Sequence, residues 1–137
     1  MANKKTVVDP ERSANITIAG VEHELVLSTR ATKEIAKRYG GLENLGDNLL
    51  KSENFEMALE EIVWLIVLLA NQSIMIHNLK SGEEPREPLT EDVVELLTTP
   101  LELASFKAAI SAAMFKGTAR NIESEPEDNT SKNGATE

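Results

Sequence analysis

The chain contains no cysteine, and aromatic residues make up only 4% of its 137 residues. Without cysteine there is no disulfide framework, thiolate metal ligand or cysteine nucleophile, and the composition fits a reducing compartment. Basic residues are also scarce, because 14 Lys and Arg face 23 Asp and Glu, giving a net charge of −9. Affinity for a nucleic-acid backbone rests on clustered Lys and Arg, so we expect no binding to nucleic acid.

Side chains that could carry out catalysis are few and scattered. The two histidines, His23 and His77, lie far apart in the sequence and belong to no cluster with metal-ligand spacing. The carboxylate pair Glu60 and Glu61 consists of adjacent residues, which point in different directions on a helix. No nucleophile is paired with a base at a recognisable spacing. We therefore expect a non-enzymatic protein that needs neither a cofactor nor a metal.

The longest apolar run, Ile62 to Ala70, has no polar face, and the wider segment contains neither Gly nor Pro. A membrane span needs about 20 apolar residues, and the polar residues Asn71 to Ser73 interrupt this run earlier. The segment predicts a central helix from about Asn54 to Lys80 that the other elements surround, although part of it could instead face another chain. With neither a signal peptide nor a membrane span, we expect a cytoplasmic protein.

Turn and cap residues divide the rest of the chain. Two alternating apolar runs flank Ala19-Gly20, which predicts a tight β-hairpin. Ser28 or Thr29 can cap a following helix, and Gly40-Gly41 can end it. A loose helix is expected from Leu42 to Leu50.

Two further helix starts follow the central helix. Thr90 can cap a short apolar helix, and Thr99-Pro100 begins another with Glu102 three residues after the cap. The last helix is expected to run to about Lys116, with Gly117 as its stop.

These elements predict an α+β fold, with an N-terminal β-hairpin and a mainly helical body of four to five helices around the central apolar helix. The globular domain is expected to span residues 14–117. Residues 1–13 are expected to form a flexible arm, and residues 118–137 a disordered acidic tail, since the latter contain one strongly apolar residue and five acidic ones.

The opening of the chain resembles a known family. The stretch Ile16 to Leu25, followed by the helix Thr32 to Gly41, is similar to the start of the tail assembly chaperones of long-tailed (siphovirus-type) bacteriophages and prophages. Those proteins commonly begin with a hairpin of the form I-x-I-N-G-x-x-Y-x-L, then a helix ending in Gly-Gly and a leucine-rich helical body. Ala19 replaces the frequent Asn, and His23 replaces the frequent aromatic residue. The resemblance covers about residues 14–80, and more loosely the helices to residue 116.

The resemblance implies a non-enzymatic assembly factor. Family members bind the tape measure protein, a long and largely helical chain, and keep it soluble until tail tube subunits polymerise around it. They are absent from the finished virion. The partner that the resemblance implies is the tape measure protein, in the cytoplasm of a bacterial host. Further candidate partners are the tail tube protein and a second copy of this chain. The alternative is a structural tail component or another small helical, partner-binding regulatory protein.

The last helix contains more apolar side chains than one face requires. Phe106, Ile110 and Met114 follow helical spacing and can meet the central helix, whereas Phe115 is offset towards a second stripe of mostly small residues. We hypothesise that this helix and the short helix before it form an apolar surface for a helical partner. The alternative is that the second stripe packs on the hairpin or on the segment Leu42 to Leu50. The candidate partner-binding residues are Val93, Leu97, Phe106, Ile110, Met114 and Phe115.

Overall fold

The computed structural model describes residues 10–45, 55–80, 82 and 84–124. In this part of the chain an antiparallel hairpin precedes a body with one long apolar helix, and 69% of the structure is helical. The predicted α+β class is therefore confirmed. The elements are a 3₁₀ turn (Pro10–Arg12), β1 (Ser13–Ile18), β2 (Val21–Val26), α1 (Thr29–Tyr39), α2 (Phe55–Lys80), α3 (Glu91–Leu97), α4 (Pro100–Ser105) and α5 (Lys107–Ser124).

The hairpin forms at the predicted turn. Ala19 has a φ of 50° and Gly20 a φ of 82°, so both turn residues are left-handed, as a two-residue type I′ turn requires. The register pairs Ile18 with Val21 and Ile16 with His23. Paired residues share a sheet face, and on this face Ile16 and Ile18 are buried.

The first helix begins and ends where its caps predict. The Ser28 side chain accepts a hydrogen bond from the Ala31 amide at 3.0 Å, and Gly40 closes the helix in the left-handed conformation. Residues 42–45 of the expected loose helix are also helical. Its remaining residues lie outside the described part, as does Asn54, the expected start of the central helix.

The central helix α2 begins at Phe55 and ends at Lys80. Leu65, Ile66 and Leu69 are completely buried, as expected of a central helix that other elements surround. The hairpin contacts α2 mainly through β2, while α1, α3 and α4 pack on other parts of α2. Elements therefore surround α2, which explains why it has no continuous polar face.

The predicted single helix from Thr99 to Lys116 is wrong, because it breaks at Phe106 into α4 and α5. The α4 start does form the expected capping box between Thr99 and Glu102. At its end the Ser105 hydroxyl donates to the Glu102 carbonyl at 2.6 Å. The Phe106 amide is shared between the carbonyls of Glu102 and Leu103, which tightens the turn and separates the two helices.

Gly117 does not end the last helix, contrary to prediction, and α5 continues to Ser124. Gly117 is buried, and a Cβ atom placed on it would lie 2.9 Å from the Leu27 Cβ and 3.1 Å from the Leu27 carbonyl oxygen. Glycine is therefore required for close approach rather than for a helix stop. The expected tail of residues 118–137 is helical as far as Ser124, and the rest lies outside the described residues.

The expected N-terminal arm is likewise ordered from residue 10 onward. Pro10–Arg12 form the 3₁₀ turn, and Ser13 begins β1. The Lys116 ammonium donates a hydrogen bond to the Ser13 carbonyl at 2.8 Å, and α5 contacts β1 and the 3₁₀ turn. The last helix therefore holds the start of the domain, whereas residues 1–9 lie outside the described residues.

Candidate interaction surface

The structure divides the six candidate partner-binding residues between core and surface. Ile110 is completely buried, while Phe106 and Met114 are half-buried and pack against the core. Ile110 therefore belongs to the core, which corrects its prediction as a contact residue. The exposed candidates are Val93 (39%), Leu97 (51%) and Phe115 (72%).

Two of these exposed residues belong to a larger apolar feature on α3 and α4. Leu96 and Leu101, which are not among the six candidate residues, are 81% and 82% exposed. We call the set the apolar ridge, and it consists of Val93, Leu96, Leu97 and Leu101. All lie within nine consecutive residues, and the first three share a helix face by their i, i+3, i+4 spacing.

The local cause of the ridge is the way that α3 packs. Of the four apolar residues in this helix, only Val94 is completely buried. Val94 lies about 100° around the helix axis from Val93, because an α-helix has 3.6 residues per turn. When Val94 faces α2, the face that carries Leu96 turns towards solvent. The available sequence signal was four apolar residues in a seven-residue helix, interrupted only by Glu95.

Acidic side chains border the ridge. Between Glu87 and Ser105 the chain contains five acidic residues and neither lysine nor arginine. All five are exposed, namely Glu87, Glu91, Asp92, Glu95 and Glu102. Glu91 and Asp92 lie in the first turn of α3, where the helix dipole favours anions. The ridge therefore lies in a segment whose charged side chains are all acidic, between Arg86 and Lys107.

A groove of about 270 Å³ opens where the α3–α4 link crosses α2. Its floor includes Val63, which is buried, and Leu59, which is half-buried. Glu95 and the link residues Thr98 to Pro100 form its opposite wall. The same two helices thus provide both a protruding apolar ridge and a neighbouring groove.

Phe115 belongs to a different part of the fold. Its helix, α5, contacts mainly β1, β2 and the 3₁₀ turn, whereas α3 and α4 contact α2. Because α5 also contacts α2 and α4, a joint surface of the last helix and the short α3 helix stays a prediction. Phe115 remains an exposed aromatic residue on α5.

A second groove, of about 310 Å³, lies between α1 and α2. The half-buried Trp64 lines it, and the Arg38 guanidinium carbon lies 4.4 Å from the Trp64 ring centroid. Arg38 also forms an ion pair with Glu61, at 3.1 Å between Nε and Oε1. The Tyr39 hydroxyl donates to the same carboxylate. These contacts hold α1 against α2.

A smaller cavity of about 190 Å³ lies between β2, α2 and the loop that precedes α3. It is lined by charged residues of both signs, including Glu24 and Arg86. The buried Ser73 hydroxyl donates to the Glu24 carboxylate at 2.7 Å. His23 lines this cavity, whereas His77 is buried elsewhere on α2. Within the described residues, no group of three or more His, Asp or Glu side chains is placed to hold a metal ion.

Paired hydrogen bonds from two asparagines of α2 fix the loop before α3. Asn71 accepts from the Leu89 amide at 2.7 Å and donates to the Leu89 carbonyl at 2.9 Å. Asn78 makes the same pair with Arg86, at 2.9 Å and 3.1 Å. These contacts hold the loop on α2 just before Thr90, which caps α3, and so they help to place the apolar ridge.

The segment Ala58–Lys80 is long and apolar enough to cross a membrane, by length and composition alone. Half of its most apolar window is buried inside the fold. A core helix of a soluble domain has the same properties, so this segment does not identify a membrane protein.

Comparison of the chain with protein-family models, curated proteins and solved structures finds no match. The likeness to tail assembly chaperones therefore stays a prediction from the sequence.

Proposed function

We propose that the protein is a phage tail assembly chaperone, which binds the long helical tape measure protein and keeps it soluble during tail assembly. The observation that carries the proposal is the exposed apolar ridge on a chain with a net charge of −9. A chaperone for an aggregation-prone helical client needs apolar contact area together with charge that keeps the complex in solution.

The order of elements supports the same function. A hairpin with a two-residue turn precedes a helix that Gly40 closes, and a long apolar helix follows. The resemblance implies this order for the opening of tail assembly chaperones. The proposed role requires no cofactor and no metal, and its site of action is the bacterial cytoplasm.

The test is co-expression with the tape measure protein encoded in the same genome. Wild-type protein should increase the soluble yield of the tape measure protein and co-purify with it, whereas an unrelated acidic helical protein should do neither. Failure of the wild type to bind or solubilise the tape measure protein would overturn the proposal.

Purified virions provide an independent measurement. A chaperone is released before the particle is complete, so mass spectrometry should find the tape measure protein but not this chain. Stoichiometric amounts of this chain in virions would instead support the alternative of a structural tail component.

A further inference from the structure

The apolar ridge is the densest exposed apolar feature of the described residues, but exposure alone does not identify what binds it. Leu96 and Leu101 are each more than four-fifths exposed. They are five residues apart in the chain, so extended-chain geometry keeps their Cα atoms within about 18 Å of each other. One helix of a partner can therefore contact several ridge residues at once.

The charges around the ridge distinguish between candidate partners. A second copy docked through a two-fold axis would place the same surface of both copies together. Each copy would then bring five carboxylates and no lysine or arginine from this segment into the contact. Like charges placed together across an interface oppose association. The acidic border therefore disfavours a symmetric dimer at this surface.

A partner with basic side chains would instead be attracted to the carboxylates around the ridge. Lysine or arginine beside its apolar stripe would meet the exposed carboxylates of Asp92 and Glu95, while its apolar side chains contact the leucines. Opposite charges of this kind accelerate encounter and fix the orientation of docking. An amphipathic helix presents both features at helical spacing.

We infer that the apolar ridge docks an amphipathic helix of the client whose apolar stripe is bordered by lysine or arginine. This inference rests on the proposed function for the identity of the client, which is the long helical protein. It adds the binding surface and the chemistry of the client segment. The adjoining groove between Val63 and Pro100 receives an apolar side chain of the same helix.

The direct test uses two synthetic helical peptides of about 20 residues, a length of about 30 Å. Both have leucine at positions i, i+3, i+4 and i+7, but one has lysine beside this stripe and the other glutamate. Fluorescence anisotropy of labelled peptides measures their binding to the full-length protein. The lysine peptide should bind at least about tenfold more tightly, with an advantage that decreases as salt increases.

Variants locate the site. The double variant Leu96→Gln, Leu101→Gln should weaken binding of the lysine peptide by about tenfold or more, the size expected for central contact residues. Leu79→Gln is the matched control, because Leu79 is 87% exposed at the end of α2, and it should leave binding unchanged. Glu95→Lys should weaken binding and reduce its salt dependence, whereas Glu84→Lys in the exposed loop should have a smaller effect.

A measurement on the wild-type protein keeps the test independent of variant folding. Amide chemical-shift changes on adding the lysine peptide should concentrate between Glu91 and Leu101. Changes centred on α5, with lost binding in Phe115→Gln, would overturn the inference. A wild-type dimer that the double ridge variant dissociates would also overturn it, since a second copy would then occupy the ridge.

Co-expression separates this inference from the proposed function. If the wild type and the double ridge variant solubilise the tape measure protein equally, the ridge is not the client site and the inference fails while the function stands. If the wild type binds the lysine peptide at the ridge but does not solubilise the tape measure protein, the proposed function fails and the surface assignment stands.

Discussion

At the scale of single residues, Gly117 shows how one residue can have two sequence interpretations. Glycine near the end of an apolar helical pattern predicts a helix stop, because glycine adopts the left-handed conformation there. In the structure Gly117 lies within α5 and against Leu27. The absence of a side chain brings the last helix against the end of the hairpin.

Replacing Gly117 with alanine should therefore destabilise the fold. Alanine favours a helix interior by about 1 kcal/mol, but its Cβ would lie 2.9 Å from the Leu27 Cβ. Overpacking of this kind costs about 1–3 kcal/mol, and backbone atoms of Leu27 cannot rotate away. We expect a net loss of about 1 kcal/mol in the free energy of unfolding, measured by urea denaturation.

The control for this prediction is Ala108→Gly, an exposed position in the same helix. It measures the helix propensity term alone, with an expected loss of about 1 kcal/mol. If Gly117→Ala instead stabilised the protein by a similar amount, the close approach to Leu27 would be refuted.

At the scale of elements, the sequence predicted best what a few neighbouring residues determine. The Ala19-Gly20 turn, the Ser28 cap and the Thr99 capping box each form within three or four residues. The long apolar helix is described from Phe55, whereas its predicted start at Asn54 lies outside the described residues. Propensity and capping act before tertiary packing, so they can be read from one segment.

Features that depend on distant partners were not predicted. The contact that requires Gly117 comes from Leu27, ninety positions earlier in the chain. The ridge exists because Val94, rather than Leu96, faces α2, and a short helix that is apolar on several sides does not indicate which side is buried. Val93 and Leu97 were predicted as contact residues, but Leu96 and Leu101 were not.

The paired hydrogen bonds of Asn71 lead to a prediction about how α3 is placed. Asn71→Ala would leave both backbone groups of Leu89 without this partner, and Leu89 is only 8% exposed. Leaving buried polar groups unpaired costs about 1–3 kcal/mol each. We expect a lower free energy of unfolding and faster hydrogen exchange at the Leu89 amide.

Asn78→Ala is the matched control, since Asn78 makes the same pair with Arg86 but is exposed. Water can replace its hydrogen bonds, so its effect on stability should be smaller and confined to the Arg86 amide. Asn71→Asp keeps an acceptor for the Leu89 amide, but it places a carboxylate oxygen against the Leu89 carbonyl, so it should also destabilise the protein more than Asn78→Ala. Equal effects of Asn71→Ala and Asn78→Ala would contradict this account.

At the scale of the whole molecule, the elements around α2 determine whether this helix stays in the protein core or enters a lipid bilayer. The isolated segment is apolar enough to span a bilayer, yet its polar residues have partners in other elements. Asn71 binds the loop at Leu89, and Ser73 binds Glu24 of β2. Transfer of α2 into lipid would break these hydrogen bonds and leave polar groups in hydrocarbon, where water cannot replace them.

We therefore predict that the folded protein does not bind lipid vesicles, whereas a synthetic peptide of residues 58–80 does. In flotation experiments with neutral and anionic vesicles, the intact chain should stay in the unbound fraction, and its net charge of −9 should repel the anionic ones further. The emission of Trp64, the single tryptophan, should not change on adding vesicles. The peptide shows that the segment can partition when nothing covers it. Flotation of the intact chain together with a blue shift of Trp64 would mean that α2 leaves the core for lipid, and the packing of the whole domain around it would then be wrong.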